Sequence, residues 1–447
     1  MTEPGVGLSC VVLRDLFGTA AVRKVLDSEA LVQGWLDAEA ALAWAEADVG
    51  VIPAAAAERI ADEADAANFD LDQLRDGIAE SQHPLVPLIR ALAERCGEAG
   101  RYVHWGVTTQ DIIDTGLMLQ ARAAIAVIRG DLIVALRAAE RLARDHAADP
   151  MPGRTHGQHA VPIAFGLKAG SWADELGRCL KRLDGLATDV LCAQMGGAAG
   201  SLAALGADAE AVQSRFAARV GLPQAPVSWH AARDRIRELA HALGQIASAA
   251  ERIASDVVRL QSTEVAEVAE PATEGHVGSS TMPQKRNPMT SEYLIASARL
   301  VHAATAALDF SSAHAGERDM GMWAVEWVAV PQALILTGGV AAKLAWVLAG
   351  LELDTARMRA NLDVTRGAIM AEAVMMAFAH RWGHEQAHRI VAEASVRAAT
   401  EKLSLDAALS LDPMVAAAYD PAALSALVGD PASYLGTARV VATDAGS

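Results

Sequence analysis

The chain has 447 residues, of which 52% are hydrophobic, 21% are charged and only 4% are aromatic, and its formal net charge is -17. A chain of this length is too long for one simple core, so two or three domains are expected. The composition excludes a disordered chain, and the negative charge argues against nucleic-acid and anionic-membrane partners. The four cysteines lack metal-ligand or redox spacing and are expected to be buried, reduced thiols.

The compartment is predicted from two features that the sequence lacks. The N-terminus has no basic region followed by the apolar region of a signal peptide. No apolar run is expected to reach the roughly 20 residues that span a bilayer. We therefore expect a cytoplasmic protein without a membrane partner.

Helices are predicted along the whole chain, because alanine and leucine are frequent while aromatic and β-branched clusters are few. Residues 26–65 are typical of two helices joined at residues 51–53. Long helices are predicted over residues 111–146, 163–191, 233–270, 289–311 and 326–348. The clearest is 233–270, where apolar residues recur in steps of three and four from Ile236 to Leu260. Shorter helices follow, with breaks at Pro413, Pro421 and Pro431.

These elements predict an all-α fold with three helical domains. The N-terminal helical domain comprises residues 1–107, and the C-terminal helical domain comprises residues 354–447. Between them, residues 108–353 form a central bundle of long helices that carries an irregular loop over residues 272–288.

This loop contains the most informative segment of the chain, Gly278-Ser279-Ser280-Thr281-Met282-Pro283-Gln284-Lys285-Arg286-Asn287-Pro288. Its glycine and serines suit a turn with exposed hydroxyl and backbone N–H groups, while Lys285 adds a charge and Asn287 an amide donor. Such a loop can hold a carboxylate and the negative charge that develops beside it. By composition alone, an ordinary basic surface loop explains the segment equally well.

The segment resembles the signature of the fumarase/aspartase superfamily, Gly-Ser-Ser-x-Met-Pro-x-Lys-x-Asn-Pro, at every fixed position. Two further stretches resemble the other active-site regions of that superfamily, namely residues 106–115 (GVTTQDIIDT) and 153–162 (GRTHGQHAVP). The three regions also occur in the expected order along the chain.

The resemblance implies a β-elimination. By position, Ser279 is the general base that removes a proton from the carbon next to a carboxylate. The resulting dianionic aci-carboxylate is held by loop N–H groups, Lys285 and Asn287. Because a carbon-bound proton is weakly acidic, stabilisation of this dianion must supply most of the reduction in the barrier.

Further site residues follow from the same resemblance. His156 matches a histidine that delivers a proton or orients the substrate, and Glu292 matches a glutamate paired with it. His83 lies where some relatives carry a second acid–base histidine. The remaining matches are substrate-binding positions, which here are Thr108, Thr109, Gln158 and Ser280.

Within the superfamily, the chain resembles the branch of adenylosuccinate lyase and 3-carboxy-cis,cis-muconate cycloisomerase, but two features depart from it. Adenylosuccinate lyases hold the nucleotide phosphate with serines and an arginine after Glu-Arg-Asp, where this chain has Trp323 and Trp327. Bacterial cycloisomerases usually have Trp-Leu-Gln where this chain has His156-Gly157-Gln158. Retention of the histidine is typical of lyases that form fumarate.

The leading hypothesis is therefore a lyase that eliminates an amine, ammonia or a nitrite-like anion from a substituted succinate and forms fumarate. The alternative is a 3-carboxy-cis,cis-muconate cycloisomerase, which uses similar chemistry next to a carboxylate. Less favoured hypotheses are an adenylosuccinate lyase and a non-catalytic structural homologue, as lens crystallins are of argininosuccinate lyase.

The resemblance also implies the partners of the chain. It implies a homotetramer in which each active site takes its three motif regions from three subunits. The substrate is a small dicarboxylate, and no nucleic acid or membrane takes part. Neither a metal nor an organic cofactor is implied, because the histidines and carboxylates lack ligand spacing and the substrate carboxylate is the electron sink.

Overall fold

The computed structural model describes residues 7–272, 282 and 284–438. These residues are predominantly helical, which confirms the predicted all-α class. The N-terminal helices are α1 (Arg14–Phe17), α2 (Ala20–Lys24), α3 (Ser28–Val49), α4 (Ala54–Glu63), α5 (Leu71–Ser81) and α6 (Val86–Cys96). The middle of the chain forms α7 (Thr109–Asp145), α8 (Phe165–Asp189), α9 (Ala209–Val220), α10 (Asp234–Leu260), α11 (Met289–Phe310) and α12 (Met320–Ala349). The C-terminal helices are α13 (Thr355–Leu362), α14 (Ala371–Trp382), α15 (His384–Glu401), α16 (Leu405–Ser410), α17 (Pro413–Ala418) and α18 (Pro421–Val428).

Short segments of other structure connect these helices. The 3-10 turns are Gly7–Ser9, Ala66–Asn68, Gly97–Tyr102, Gly197–Ala199, Ala203–Asp208, Asp363–Thr365, Ala368–Met370 and Pro431–Ser433. Two antiparallel strand pairs are present, β1 (Pro150–Thr155) with β2 (Gln158–Ala164), and β3 (Val268–Ala269) with β4 (Glu352–Leu353). The β1–β2 hairpin was not predicted. Its turn, His-Gly, lacks the Asn-Gly or Asp-Gly pair that usually marks a hairpin in a sequence.

The three C-terminal prolines mark helix starts. Pro413 and Pro421 are the first residues of α17 and α18, where the missing proline N–H would have no helical acceptor anyway. The aspartate before each proline caps the helix, because Asp412 accepts from the Met414 N–H at 2.8 Å and Asp420 from the Ala423 N–H at 2.7 Å. The predicted breaks are therefore confirmed.

The prediction of one helix over residues 233–270 was too long. Helix α10 ends at Leu260, which is also the last residue of the apolar stripe. Beyond it the chain turns, with Ala266 at a positive φ of 53° and the Glu267 N–H bonded back to the Leu260 carbonyl at 2.9 Å. Val268 and Ala269 of this segment pair with β4 as a strand, so the apolar residues after Leu260 serve β3 and not a longer helix.

Helix α12 was predicted too short, and the expectation that no apolar run is long enough to span a bilayer was wrong. Its 30 residues have a mean hydropathy of 1.5 in their most apolar window, so by length and composition the helix passes as a membrane span. However, 67% of that window is buried inside the protein, as in a core helix. Glu326, the first residue of the predicted helix, is instead a buried residue inside α12.

The chain divides into two compact units, and each unit consists of three separate segments of the sequence. The first comprises Met1–Ile133, Arg178–Arg252 and Tyr293–Leu344, and the second comprises Val134–Gly177, Ile253–Glu292 and Ala345–Ser447. The predicted domain boundaries near residues 107 and 353 follow chain order and stay a prediction.

The first unit contains a buried ion cluster. Arg233, only 1% exposed, donates to Asp114 at 2.7 and 3.1 Å and to Glu326 through Nε at 2.9 Å. The indole of Trp323 donates to Asp114 at 2.9 Å, and the Arg233 guanidinium lies over the Trp229 ring at 4.7 Å. Both carboxylates are thus fully paired in a site without water access, which is the condition for tolerating buried charges.

A second buried acid in this unit has no partner. Glu46 on α3 is fully buried, and neither carboxyl oxygen has a hydrogen-bond partner among the described residues. Burial first, and then the charge of Glu39 two turns earlier, raises the pKa of Glu46 from 4.5 to about 9. Glu46 is therefore protonated in the folded chain at neutral pH.

The second unit has an apolar core formed by its C-terminal helices. Helices α14 to α18 pack around Val374, Phe378, Ile390, Leu405 and Leu409. Burial of these large apolar side chains in one core explains why the five helices pack together. Across the described residues of both units, the four cysteines are free and buried, as predicted.

We expect Arg233→Met to lower the free energy of unfolding by about 3–5 kcal/mol, because it leaves two buried carboxylates unpaired. The matched control is Arg237→Met, which breaks the exposed Arg237–Asp309 pair of 3.0 Å and should change stability by at most about 1 kcal/mol. Urea unfolding followed by circular dichroism, at one protein concentration, checks both values. Equal effects of the two substitutions would show that the buried cluster does not stabilise the fold.

We expect Glu46→Gln to become increasingly stabilising as pH rises. Below pH 4.5 the acid is protonated in both states, whereas between 4.5 and about 9 only the folded state keeps the proton, so wild-type stability falls. By about pH 7 the advantage of the variant should have grown by roughly 3 kcal/mol. Urea unfolding over this pH range tests it, with the exposed Glu29→Gln on the same helix as the control. A pH-independent difference would contradict the raised pKa.

Candidate active site

His156 lies at the tip of the β1–β2 hairpin. Thr155 pairs with Gln158, so His156 and Gly157 alone form the turn. Both have positive φ, 51° and 78°, as in a type I′ turn, a backbone that glycine adopts freely and histidine tolerates. The His156 side chain is exposed, and Gln158 is exposed beside it at the start of β2. The hairpin thus presents two predicted site residues together.

The base of this hairpin tip is held by a buried ion pair. Arg154 on β1 donates two hydrogen bonds to Glu267, at 2.6 and 2.9 Å, and Glu267 is fully buried. The Asn361 amide donates to the same carboxylate at 2.7 Å. Because bidentate arginine–carboxylate pairs fix orientation, Arg154 positions the strand that leads to His156.

Glu270 and Gln261 fix the two ends of the signature loop. Glu270 accepts from the backbone N–H groups of Thr290, at 3.1 Å, and Ser291, and so caps the N-terminus of α11 from outside the helix. Gln261 accepts from the Glu270 N–H at 2.8 Å and donates to the Arg286 carbonyl at 2.9 Å. The residues before and after the loop are therefore joined by side-chain hydrogen bonds.

Lys285 and Asn287 line a cleft of about 530 Å³, together with Gln261, Thr263 and Glu352. Another lining residue, Arg286, is neutralised by two hydrogen bonds to Glu352, at 2.7 and 2.8 Å, and this contact holds the pKa of Glu352 below its usual value. Lys285 is exposed and has no ion-pair partner in the described part of the chain. It is therefore available to attract an anionic substrate into the cleft.

The predicted base and its neighbour, Ser279 and Ser280, lie outside the described residues. Glu292 is exposed in the first turn of α11. No hydrogen bond joins it to His156 within the described chain. The His156–Glu292 pairing stays a prediction.

In the first unit, Thr108 and Thr109 lie at the N-terminus of α7. The Thr108 N–H donates to the Asp111 carboxylate at 3.0 Å, which is one arm of a capping box. Both threonines are partly exposed at this helix end, where free N–H groups favour anions.

His83 contacts Thr109 within the first unit. Its Nε2 lies 3.4 Å from the Thr109 hydroxyl, and its Nδ1 accepts from the Val86 N–H at 3.3 Å. The neutral ring therefore carries its proton on Nε2 and donates to Thr109. Burial, with a smaller contribution from His104, lowers the pKa of His83 and favours this neutral form.

Asp111 is an organising residue whose role was missed. Its buried carboxylate accepts not only from Thr108 but also from the N–H groups of Gly196, at 2.8 Å, and Gly197, at 2.9 Å. The fourth donor is His230, whose Nε2 is 2.7 Å away. The Thr-x-x-Asp spacing at a helix start could have indicated the cap, but no local signal indicates the glycines or the histidine, which are distant in sequence.

The two tryptophans that depart from adenylosuccinate lyases are packed against each other. The ring centroids of Trp323 and Trp327 are 4.9 Å apart in an edge-to-face arrangement, and the Trp323 indole N–H donates a hydrogen bond to Asp114. Neither provides the charged donors that hold a phosphate. Among the described residues, no three histidine, cysteine or acidic side chains come together as a metal site would require.

Comparison with known proteins places the chain in a family. Residues 18–302 match the family described as "Lyase", and residues 367–445 match "Adenylosuccinate lyase C-terminus". The chain is 43% identical to the 3-carboxy-cis,cis-muconate cycloisomerase of Bradyrhizobium diazoefficiens, with 96% of both chains covered. It is 35% identical to the N-acetyl-S-(2-succino)cysteine lyase of Dickeya dadantii, over 94% of this chain and 93% of that one.

A solved structure agrees with this placement. The 3-carboxy-cis,cis-muconate lactonizing enzyme from Pseudomonas putida superposes with a TM-score of 0.90 at 37% identity, covering 97% of this chain and 98% of that chain. The matched families, the full-length identities and the shared fold all agree with the three sequence motifs. The chain therefore belongs to the fumarase/aspartase superfamily and is an enzyme with an activity of the fumarate-lyase type.

Proposed function

We propose that the protein is a lyase that eliminates a small leaving group from a substituted succinate and forms fumarate. The observation that carries the proposal is His156, exposed at the tip of an anchored hairpin and so available to a leaving group. A proton donor is needed when the leaving group is basic, such as an amine or ammonia. The similarity to a lyase whose name specifies a succino-thioether supports elimination from a succinate.

In this mechanism Ser279 takes the proton from the carbon next to one carboxylate of the substrate. The electron pair of that C–H bond moves into the carboxylate and forms the aci-carboxylate dianion. Its collapse forms the double bond and breaks the bond to the leaving group, which takes a proton from His156 if it is basic. Lys285, exposed in its cleft, supplies positive charge that stabilises the dianion more than the ground state.

A second candidate, the 3-carboxy-cis,cis-muconate cycloisomerase reaction, is favoured by the similarity to proteins of that name. Against it stands His156, because bacterial cycloisomerases usually have Trp-Leu at positions 156 and 157, whereas lyases that form fumarate retain the histidine. A Trp-Leu pair at positions 156 and 157 would place leucine at a φ of 78°, which side chains with a Cβ rarely adopt. The turn of this chain is therefore built for His-Gly.

We further propose a cytoplasmic homotetramer with shared active sites. The exposure of His156 and Glu292 supports this assembly, because both side chains are accessible to residues of another subunit. No nucleic acid or membrane takes part in the proposed reaction.

The proposal predicts fumarate formation from one member of a succinate panel. The panel contains aspartate, N-substituted aspartates, nitrosuccinate, malate and adenylosuccinate, with 3-carboxymuconate in parallel, and fumarate is followed by ultraviolet absorbance. Ser279→Ala should lower kcat by about 100- to 10,000-fold, because an alanine side chain cannot accept the carbon-bound proton. Ser410→Ala on α16, away from the motif regions, is the control. Turnover of 3-carboxymuconate alone would assign the protein as the cycloisomerase, and a dead Ser280→Ala with an active Ser279→Ala would move the base to Ser280.

The dependence on His156 should follow the basicity of the leaving group. His156→Asn keeps the hairpin, because Asn-Gly is a favoured type I′ turn. With an amine leaving group we expect kcat to fall about 100- to 10,000-fold, and with nitrite we expect little change, because nitrite leaves without protonation. Steady-state kinetics on N-substituted aspartates and nitrosuccinate measure the difference, and the exposed His241→Asn is the control. Equal losses on both substrates would assign His156 to substrate orientation.

A further inference from the structure

A buried carboxylate joins the start of α7 to a glycine turn that is distant in sequence. Asp111, in the first turn of α7, is fully buried. One of its oxygens accepts from the Thr108 N–H at 3.0 Å and from the Gly197 N–H at 2.9 Å. The other oxygen accepts from the Gly196 N–H at 2.8 Å and from Nε2 of His230 at 2.7 Å. Four donors from three separate segments of the first unit therefore converge on one carboxylate.

A carboxylate suits this arrangement better than any neutral side chain of the same size. Both of its oxygens accept hydrogen bonds and neither carries an N–H, whereas asparagine presents an NH₂ group in place of one oxygen. At position 111 that NH₂ group would face two N–H donors. Hydrogen bonds to a charged acceptor are also roughly twice as strong as neutral ones, so loss of the charge weakens every contact that remains.

The glycine turn approaches this carboxylate closely because it has no side chain at the point of contact. A Cβ atom added to Gly196 would lie 2.3 Å from the Ser228 hydroxyl oxygen and 2.9 Å from Cε1 of His230, which is too close for both atoms. Gly197 has a φ of 67°, a backbone conformation that residues with a Cβ rarely adopt. Both glycines are therefore required for the turn to present two N–H groups to Asp111.

A second set of hydrogen bonds joins the same three segments. Gln110 is fully buried, and its amide donates to the His230 carbonyl at 3.0 Å. The Gln110 side-chain oxygen accepts from Nε of Arg318 at 2.9 Å, and the same guanidinium donates to the Ala198 carbonyl at 3.2 Å. The start of α7, the glycine turn and the segment of His230 are thus linked through Asp111 and again through its neighbour.

The end of α7 that Asp111 holds carries two predicted substrate-binding residues. Thr108 and Thr109 are partly exposed, whereas Asp111 is shielded from solvent. The Thr109 hydroxyl also lies 3.4 Å from Nε2 of His83. Since a substrate does not reach Asp111, this carboxylate can act on binding only through the groups that it holds.

We propose that Asp111 is a positioning residue for substrate binding. It holds Thr108, and through the backbone Thr109, in the arrangement that binds a carboxylate of the substrate. The identity of the substrate rests on the proposed function, whereas the role of Asp111 stands on its four hydrogen bonds. Binding groups that are ordered before the substrate arrives lose less freedom on binding, so affinity depends on Asp111 although the substrate does not touch it.

Hydrogen exchange of the full-length protein, followed by mass spectrometry, tests the positioning itself. In Asp111→Asn, amide exchange over residues 106–112 and 195–200 should be at least about fivefold faster, because buried N–H groups lose their acceptor. Exchange over residues 117–130, in the middle of α7, should be unchanged. The matched control is Gln213→Leu, which removes a 3.1 Å hydrogen bond to the Met195 carbonyl beside the glycine turn and should leave residues 106–112 unchanged. Equal acceleration along the whole of α7 overturns the proposal, because it shows a general loss of stability.

Variants of His230 provide the test if Asp111→Asn does not fold. His230→Leu removes one of the four donors and should accelerate exchange over residues 106–112 by a smaller factor. His230→Gln has an amide N–H that can reach the place of Nε2 and should restore most of the protection. Equal exchange in the two His230 variants overturns a role that depends on this hydrogen bond.

Fumarate tests the link to substrate binding. Saturating fumarate should slow exchange over residues 106–112 in the wild type, and Asp111→Asn should need at least about tenfold more fumarate for the same effect. His230→Leu should shift the fumarate requirement in the same direction, and His230→Gln should restore it. The absence of protection in the wild type, or protection at equal concentrations in all of these proteins, overturns the proposal.

Kinetics separate positioning from a loss of active protein. With the substrate identified from the succinate panel, Asp111→Asn should raise KM about tenfold and change kcat less than about threefold, because binding is lost equally from the ground state and the transition state. A lower kcat at unchanged KM overturns the proposal. If no member of the panel is turned over, the proposed function fails, whereas the fumarate titration still decides whether Asp111 supports dicarboxylate binding.

Discussion

The buried arginine cluster is the interaction on which the first unit depends. Arg233 precedes α10 and binds Asp114 of α7 and Glu326 of α12, so one guanidinium connects three long helices. The N-terminus of α7 carries Thr108 and Thr109, and α12 carries Trp327. A rigid, bidentate cation thus fixes both the helix whose N-terminus carries two predicted substrate-binding residues and the helix that carries Trp327.

Buried carboxylates also stabilise the second unit, but there they anchor a hairpin and the end of a loop and do not connect long helices. Glu267 fixes the strand that leads to His156, and Glu270 caps α11 just after the signature loop. These two acids are three residues apart in one short segment after α10. The hairpin and the loop are therefore supported by one piece of chain, so a disturbance there should affect both. Such support suits a site whose reacting groups must be placed to within about half an ångström.

Local physical rules predicted most of the fold. Helical periodicity predicted the positions of α7, α8 and α11 closely, and the prolines marked the starts of α17 and α18. The turn rules did not predict the hairpin at His156-Gly157, and the segment after Leu260 was predicted as helix although Val268 and Ala269 in it form β3. Of the candidate site, the identities of the residues came from the family resemblance. Their contacts, such as His83 with Thr109 or Arg233 with Asp114, join residues far apart in sequence, and spacing along the chain carries no information about them.

Glu46 has a consequence for the way the chain folds. In the unfolded chain this acid is ionised at neutral pH, whereas in the folded chain it holds a proton because α3 buries it without a partner. Each chain must therefore take up a proton from solvent as it folds, which makes folding a proton-linked reaction. The heat of folding accordingly includes the ionisation heat of whichever buffer releases that proton.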